Sequence, residues 1–231
     1  DGSQIVTYIN SAVTGTTATS TDFISDTSAE LIGNDNGASP SRGFNGLIDD
    51  VRVYSRALSA TEVERLYKIG ATSKISKTLQ GRDSLTSGLV GWWTFDGPDT
   101  LTNIADKSGS GNNGSLIHAG SGTTTAPGRV GQALSFDGTD DYVSEAAVDL
   151  SATNKVSVAF WLYESAFNNT DDLAIEATTD TNNNTTGFFV DPNGGSPCAG
   201  SFSVALKGDV GYSVRCYARP SAGAWHHYVA V

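Results

Sequence analysis

Most segments of the chain carry strand-type patterns of hydrophobic and polar positions. QIVTYINSAV (residues 4–13), SFSVAL (201–206) and HHYVAV (226–231) alternate, VSVAFWLY (156–163) is nearly continuous, and GFFV (187–190) is a short apolar run. Such runs predict β-strands. Segments rich in Gly, Asn, Asp and Ser separate them: GNDNGASPSRG (33–43), DKSGSGNNGS (106–115), TTDTNNNTTG (178–187) and DPNGGSP (191–197). The spacing predicts a sandwich or jelly roll.

One stretch departs from this period. In LSATEVERLYKIG (58–70), Ser59 is placed to cap a helix, with Glu62 three residues on as the other half of a capping box. Leu58 can staple onto Val63, Leu66 and Tyr67 continue the apolar face, and Gly70 can close the helix. The helix is expected to be a short surface appendage. Residues 71–87, with Lys74, Lys77 and Arg82, lose periodicity and read as an exposed polar linker. Its KISKTL run has the alternative of adding a strand to a sheet edge.

Composition narrows the function classes. The chain has 231 residues, 38% hydrophobic and only 17% charged, so its surface polarity is mostly uncharged. Thr favours strands, and Ser, Asn and Gly favour turns. The length suits one large all-β domain or two small ones. A net charge of −11 without a Lys/Arg cluster excludes a nucleic-acid footprint and disfavours anionic membranes. No apolar run is long enough to span a membrane, so no membrane insertion is expected. Acidic surface suits Ca²⁺. Cys198 and Cys216 are read as one disulfide across a hairpin turning near Lys207-Gly208-Asp209, with two buried thiols as the alternative. The absence of Met and of a signal peptide is read as a processed or excised piece.

Several ordered blocks resemble a known family. GLVGWWTFDG (88–97), ADKSGSGNNGSL (105–116) and GRVGQALSFDGTDDYV (128–143) are similar to the opening blocks of a LamG-like (laminin G-like) jelly-roll domain of the concanavalin A-like lectin/glucanase superfamily. VSVAFWLY resembles its next core strand, and WHHYVAV the block before a hairpin. FNGLIDDVRVYSRALSATEVERLY (44–67) resembles its last strand and terminal helix. The resemblance implies an all-β, concanavalin A-like jelly-roll β-sandwich with one short helix. Its blocks stand in permuted order: residues 1–70 are the closing half, 71–87 the linker and 88–231 the opening half. Joining Val231 to Asp1 is expected to make a hairpin about an Asp1-Gly2 turn. Three arrangements follow: one period of a tandem array, a permuted domain closing on itself, or halves exchanged between neighbouring copies. The array or fibre is the preferred expectation.

The acidic residues carry the candidate chemistry. In a regular strand Asp49 shares a face with Val51 and Val53, while Asp50 shares the other with Arg52 and Tyr54. An Asp on an apolar face needs a hydrogen-bond network or a metal. The resemblance implies a structural Ca²⁺ where first and last strands meet. That carries over to Asp49, Asp96 and Asp106, with loop oxygens near Gly109 and Asn112. The alternative, that these Asp residues cap turns and bond backbone amides, stands beside it. Asp137, Asp140 and Asp141 are read as turn chemistry.

His226 and His227 are adjacent in a strand and point to opposite faces, so with only His118 besides, a zinc site is not expected. The paired carboxylates of a glycosidase are missing as a motif: Glu145, Glu164 and Glu176 are isolated and Asp180 falls in a turn. No enzymatic activity is expected. Trp92, Trp93, Trp161, Tyr163 and Trp225 are candidate sugar platforms, though one of each strand pair must enter the core. Asn113, Asn168 and Asn183 match the glycosylation sequon.

The expectation is an extracellular, non-catalytic LamG-like building block of a cell-surface adhesin or filament, with neighbouring copies as partners. Its rival is a calcium-assisted carbohydrate-binding module with glycans as partners.

Overall fold

The computed structural model describes residues 4–18, 30–34, 42–71, 84–97, 103–117, 124–145, 148–150, 153–167, 174–177, 187–195, 197–208 and 211–231. The strands are β1 (Gln4–Ile9), β2 (Ala12–Ala18), β3 (Leu31–Ile32), β4 (Asn45–Tyr54), β5 (Leu89–Trp93), β6 (Gly114–Ile117), β7 (Thr124–Pro127) and β8 (Gln132–Asp137), then β9 (Tyr142–Glu145), β10 (Ser157–Tyr163), β11 (Ile175–Ala177), β12 (Gly187–Gly194), β13 (Ser201–Gly208), β14 (Gly211–Tyr217) and β15 (Trp225–Ala230). One helix, α1 (Ala60–Ala71), follows β4.

The strands form two antiparallel sheets. The first is 8-stranded, in the order β2-β1-β15-β10-β4-β8-β7, with β5 also on β4; the second is 7-stranded, in the order β14-β13-β12-β11-β3-β9-β6. The facing sides bury Ile48, Val53, Trp93, Phe160, Phe202 and Tyr228. This is the expected jelly-roll sandwich.

The two halves of the sequence interleave within one chain. In the first sheet β15 sits between β1 and β10, and β4 sits beside β10, β8 and β5. In the second sheet β3, from the first 70 residues, joins β11 to β9. Each half alone would leave strand edges and an apolar face open to water.

Register shows how β1 meets β15. Thr7, Tyr8 and Ile9 lie opposite Ala230, Val229 and Tyr228, and Val6 and Val231 exchange both backbone hydrogen bonds, at 2.8 and 2.9 Å. A two-residue Asp1-Gly2 turn would instead set Val229 opposite Ile5. Ile5 belongs to the inter-sheet core, whereas Val229 belongs to the cluster under α1. Opposed residues share a face, so matching buried faces overrides the tight turn that the Asp-Gly pair suggested.

The helix is more than an appendage. Val63 and Leu66 pack with Tyr8, Tyr54, Ala159 and Val229 into a second buried cluster on the outer face of the first sheet. Its start is built as the capping box predicts: Ser59 N–H donates to Glu62 Oε2 at 2.9 Å, and Glu62 N–H to Ser59 Oγ at 3.4 Å. Arg56 then pairs with Glu62 at 2.7 Å and holds Glu62 down to about 2, with the Ser59 bonds helping. Tyr67 stacks on Trp161 with ring centroids 5.6 Å apart.

Most of the proposed linker, including KISKTL, lies outside the described residues. Its far end is anchored. Leu85 is buried in the cluster beneath α1, and Arg56 donates to the carbonyls of Ser84 and Ser87. Cys198 and Cys216 form a disulfide with Cα atoms 5.2 Å apart. It ties the turn ahead of β13 to β14, whose Cys216 lies opposite Ser203.

Candidate functional site

A change of partner along one edge of β4 creates the candidate site. Asn45–Ile48 pair with β8, whereas Val51–Tyr54 pair with β5. Between them lie Asp49 and Asp50. Asp50 adopts a left-handed backbone, φ 52°, and the register against β10 shifts there, between Ala159 and Trp161. The extra residue makes a bulge.

The bulge corrects the face assigned to Asp49. Ile48, Val51 and Val53 all enter the inter-sheet core. Asp49 lies opposite Trp161 and Arg52 opposite Ala159, which packs under α1. Asp49 therefore shares the outer side with Arg52, not with Val51 and Val53. Strict alternation fails because Asp50 consumes one position without advancing the pairing. Its carboxylate accepts from Arg52 at 3.1 Å and from the Trp92 indole at 2.6 Å. The Arg52 guanidinium lies 4.4 Å from the Trp92 ring centroid.

Three chain segments converge at this junction: Asp49 on β4, Asp96 just beyond β5, and the turn at residues 128–131 leading into β8. Asp49 Oδ2 accepts the Val130 amide at 2.8 Å, and Asp96 Oδ1 accepts the Gln132 amide at 2.8 Å. Both turn glycines are required by closeness. A Cβ on Gly128 would meet Asp49 Oδ2, and one on Gly131, at φ 73°, would meet Asp96 Oδ1. Phe95, next to Asp96, is also left-handed, φ 54°. Strained non-glycine backbone thus flanks both acids.

Asp49 is fully buried and its Oδ1 has no hydrogen-bond partner. Burial pushes its carboxyl from 3.8 up to about 8; the Val130 amide opposes this, and the charges of Asp50 and Asp96 add to it. A buried carboxylate with an unused oxygen and a second carboxylate held by the same turn are hard-oxygen donors of the kind that Ca²⁺ takes. In donor chemistry the two carboxylates suit that ion, once Asp49 gives up the proton that burial holds on it.

Asp106, Gly109 and Asn112 form a different structure. Asp106 accepts the amides of Trp92 at 3.0 Å, Ser108 at 2.8 Å and Asn112 at 3.0 Å, and the Ser108 hydroxyl at 2.8 Å. These bonds outweigh its partial burial and lower its pKa. Asn112 binds the Val90 carbonyl and receives the Trp93 indole N–H, each at 2.8 Å. Gly109 is left-handed, with open space where a side chain would be. The loop is a carboxylate-centred staple on β5 and shares no hydrogen bond with Asp49 or Asp96.

The carboxyl oxygens of Asp137, Asp140 and Asp141 lie within 4.8 Å of one another, two of these residues exposed and Asp141 buried. Asp137 also accepts the Thr139 amide at 2.8 Å, the turn bond its sequence predicts.

The sequence reading missed the burial of the isolated glutamates. Glu145, Glu164 and Glu176 are all buried. Neither Glu145 oxygen has a hydrogen-bond partner, and burial, with the charges of Glu30 and Asp106, pushes its pKa well above the usual carboxylate range. The signal was its β9 position two residues from core Val143.

The remaining candidates divide by face. Trp93 enters the core while Trp92 faces out. Trp161 is buried beneath Tyr67, and His227 lies 5.0 Å from it. Burial, then the charge of Arg52, drives His227 down to about 3, so it is neutral. His226 points the other way and contacts Asn10 at 3.0 Å. Tyr163 and Trp225, half-buried, pair at 5.8 Å. Asn113 is exposed; His118, Asn168, Asp180 and Asn183 lie outside the described residues.

Comparison with known proteins agrees with this architecture. The family model described as the concanavalin A-like lectin/glucanases superfamily, of laminin G type, matches residues 1–64 and 137–231. No curated protein and no solved structure gave a significant match.

Proposed function

Since the chain belongs to the laminin G-like branch of the concanavalin A-like lectin/glucanase superfamily, we propose that it is an extracellular, non-catalytic building block of a cell-surface adhesin or filament. Repeated copies supply the assembly, and Ca²⁺ stiffens each unit. The observation that carries this reading is the junction on β4. A strand from the closing half is gripped by β5, β8 and β10 of the opening half, and Asp49 and Asp96 meet there through one turn.

Asp49, Asp96 and carbonyl oxygens of the 128–132 turn would hold the ion. Bound Ca²⁺ supplies two positive charges to paired carboxylates and so ties the two halves together. The disulfide supports an oxidising compartment, and no helix among the described residues is long and apolar enough to cross a membrane.

Sedimentation and negative-stain microscopy with Ca²⁺ and with EDTA test the proposal. Ordered assemblies that loosen in EDTA are the expected result. A chain that stays monomeric at all concentrations and hydrolyses or selectively binds a polysaccharide would overturn it. The half-buried Tyr163–Trp225 pair favours one second reading, a carbohydrate-binding module. That reading requires binding on a glycan array that Trp225→Ala abolishes.

A further inference from the structure

The strands that end the two sheets differ in how well they resist pairing with another chain. β7 has four residues and closes on Pro127, and β6 has four residues. β14 carries Arg215, and its Cys216 is tied to Cys198. Short length, proline and charge are common protections of a sheet edge. β2 has none of these three. It runs for seven residues, AVTGTTA, without charge or proline, and five of them are exposed. Thr14 is an extra residue against β1, and Gly15–Ala18 beyond it pair regularly. Val13, 57% exposed, is the one large apolar side chain left exposed among the described residues.

The hydrogen bonds of β1 fix which backbone groups β2 leaves open. Val6 exchanges both backbone bonds with Val231, at 2.8 and 2.9 Å, and Asn10 N–H donates to the His227 carbonyl at 2.9 Å. Alternate residues of an antiparallel strand bond alternate sides, so Val6 and Tyr8 turn towards β15 and away from β2. Thr16 lies opposite Val6, and Val13 opposite Tyr8. The N–H and C=O of Thr16 and Val13 therefore point away from β1, where no described strand pairs with them. The strand is nevertheless held in place. Asn10 and Ser11, at φ 52° and 66°, make the two-residue turn that leads into it. Tyr217 of β14 packs so closely on Gly15 that a Cβ there would strike its ring, and its hydroxyl donates to Thr17 Oγ1 at 3.3 Å.

We propose that β2 is the seam through which two copies of this chain meet, their β2 strands pairing antiparallel about a two-fold axis. The proposal rests on the reading of the chain as a repeating unit and names the strand that joins one unit to the next. A two-fold axis brings outward N–H groups of one copy to outward C=O groups of the other, so one strand serves as both partners. Pairing runs the two first sheets into one and shelters Val13. A net charge of −11 opposes contact between copies over most of the surface. The seam escapes this because β2 carries no charge. One strand pair buries little area, so the isolated chain is expected to dimerise weakly, with a Kd on the order of 100 µM. Linked repeats, at an effective concentration of about 1 mM, would still pair.

Sedimentation equilibrium and amide exchange on the intact chain in calcium buffer, between about 10 µM and about 1 mM, test the seam. Thr16→Pro removes only an outward N–H, which an edge strand tolerates, and is expected to weaken dimerisation at least about tenfold. Thr16→Lys sets like charges into the seam and is expected to weaken it in the same direction, which keeps the test valid if the proline variant misfolds. Thr124→Lys, on the exposed edge strand β7, is expected to leave dimerisation unchanged. The Val13 and Thr16 amides should exchange fast at the lower concentration and slowly at the higher. Dimerisation that both Thr16 variants retain would overturn the seam while leaving the repeating-unit reading standing. Slow exchange of both amides at either concentration would show the edge covered within one chain and would also overturn it. A chain that stays monomeric at about 1 mM with both amides fast would overturn the seam, count against assembly and leave the edge open to a strand of a different protein.

Discussion

Replacing Asp49 with Asn tests the candidate ion site most directly. Asp49 is fully buried and its pKa stands at about 8, against 3.8 for an exposed carboxyl. Between those values the folded chain binds one more proton than the unfolded chain. Stability therefore falls as pH rises, by about 1.4 kcal/mol per pH unit. His227 has the opposite sign. Its pKa falls from 6.5 to about 3, so its contribution rises with pH and is complete above 6.5. From about pH 6.5 to about pH 7.5 the folded-state His227 is neutral, and its remaining titration in the unfolded chain is common to both proteins and cancels in their comparison. Glu145, also raised, adds to the slope in both proteins and cancels in the comparison.

Calorimetric melts in EDTA should show the natural chain losing about 1.4 kcal/mol across that window relative to Asp49→Asn. For this chain length that is roughly 3–5 °C in melting temperature. Calcium should reverse the trend, because it binds the ionised form: at about a hundredfold excess over Kd it contributes about 2.7 kcal/mol. The Asn variant should show neither the slope nor the calcium gain. The same pH slope in both proteins in EDTA, or a calcium gain retained by the variant, would refute the reasoning.

Three other outcomes follow from the packing. Gly131→Ala puts a Cβ against Asp96 in a left-handed turn, so it should cost about 1–3 kcal/mol in urea unfolding and weaken calcium binding. Gly70→Ala should gain about 1 kcal/mol of helix propensity but drive a methyl into the buried Trp161 indole. A net loss of about 1–3 kcal/mol is expected, with a changed Trp161 fluorescence; a net gain would show that the helix can shift. Removing the disulfide with Cys198→Ala and Cys216→Ala frees a segment of sequence separation 18 and should cost about 3 kcal/mol in denaturant unfolding.

Local features were legible because their causes are local. Alternating and apolar runs located β1, β10, β12, β13 and β15, and the Ser59–Glu62 pair located the start of α1. Two of the expected ion-site residues, Asp49 and Asp96, do meet at one turn. Asp106, Gly109 and Asn112 do not join them, because amides from their own loop and from Trp92 already satisfy the Asp106 carboxylate.

The sequence by itself determined the all-β class, the capped helix and the family, while the structure decided between a disulfide and two thiols. The first three rest on residue types within a short window or on ordered blocks. Only the tertiary structure decided which side Asp49 faces, the β1–β15 register and the change of partner along β4. Each depends on where a partner strand begins or ends. A bulge at Asp50 or a three-residue change of register inverts a face without altering the composition of either strand, so no local pattern could have revealed it.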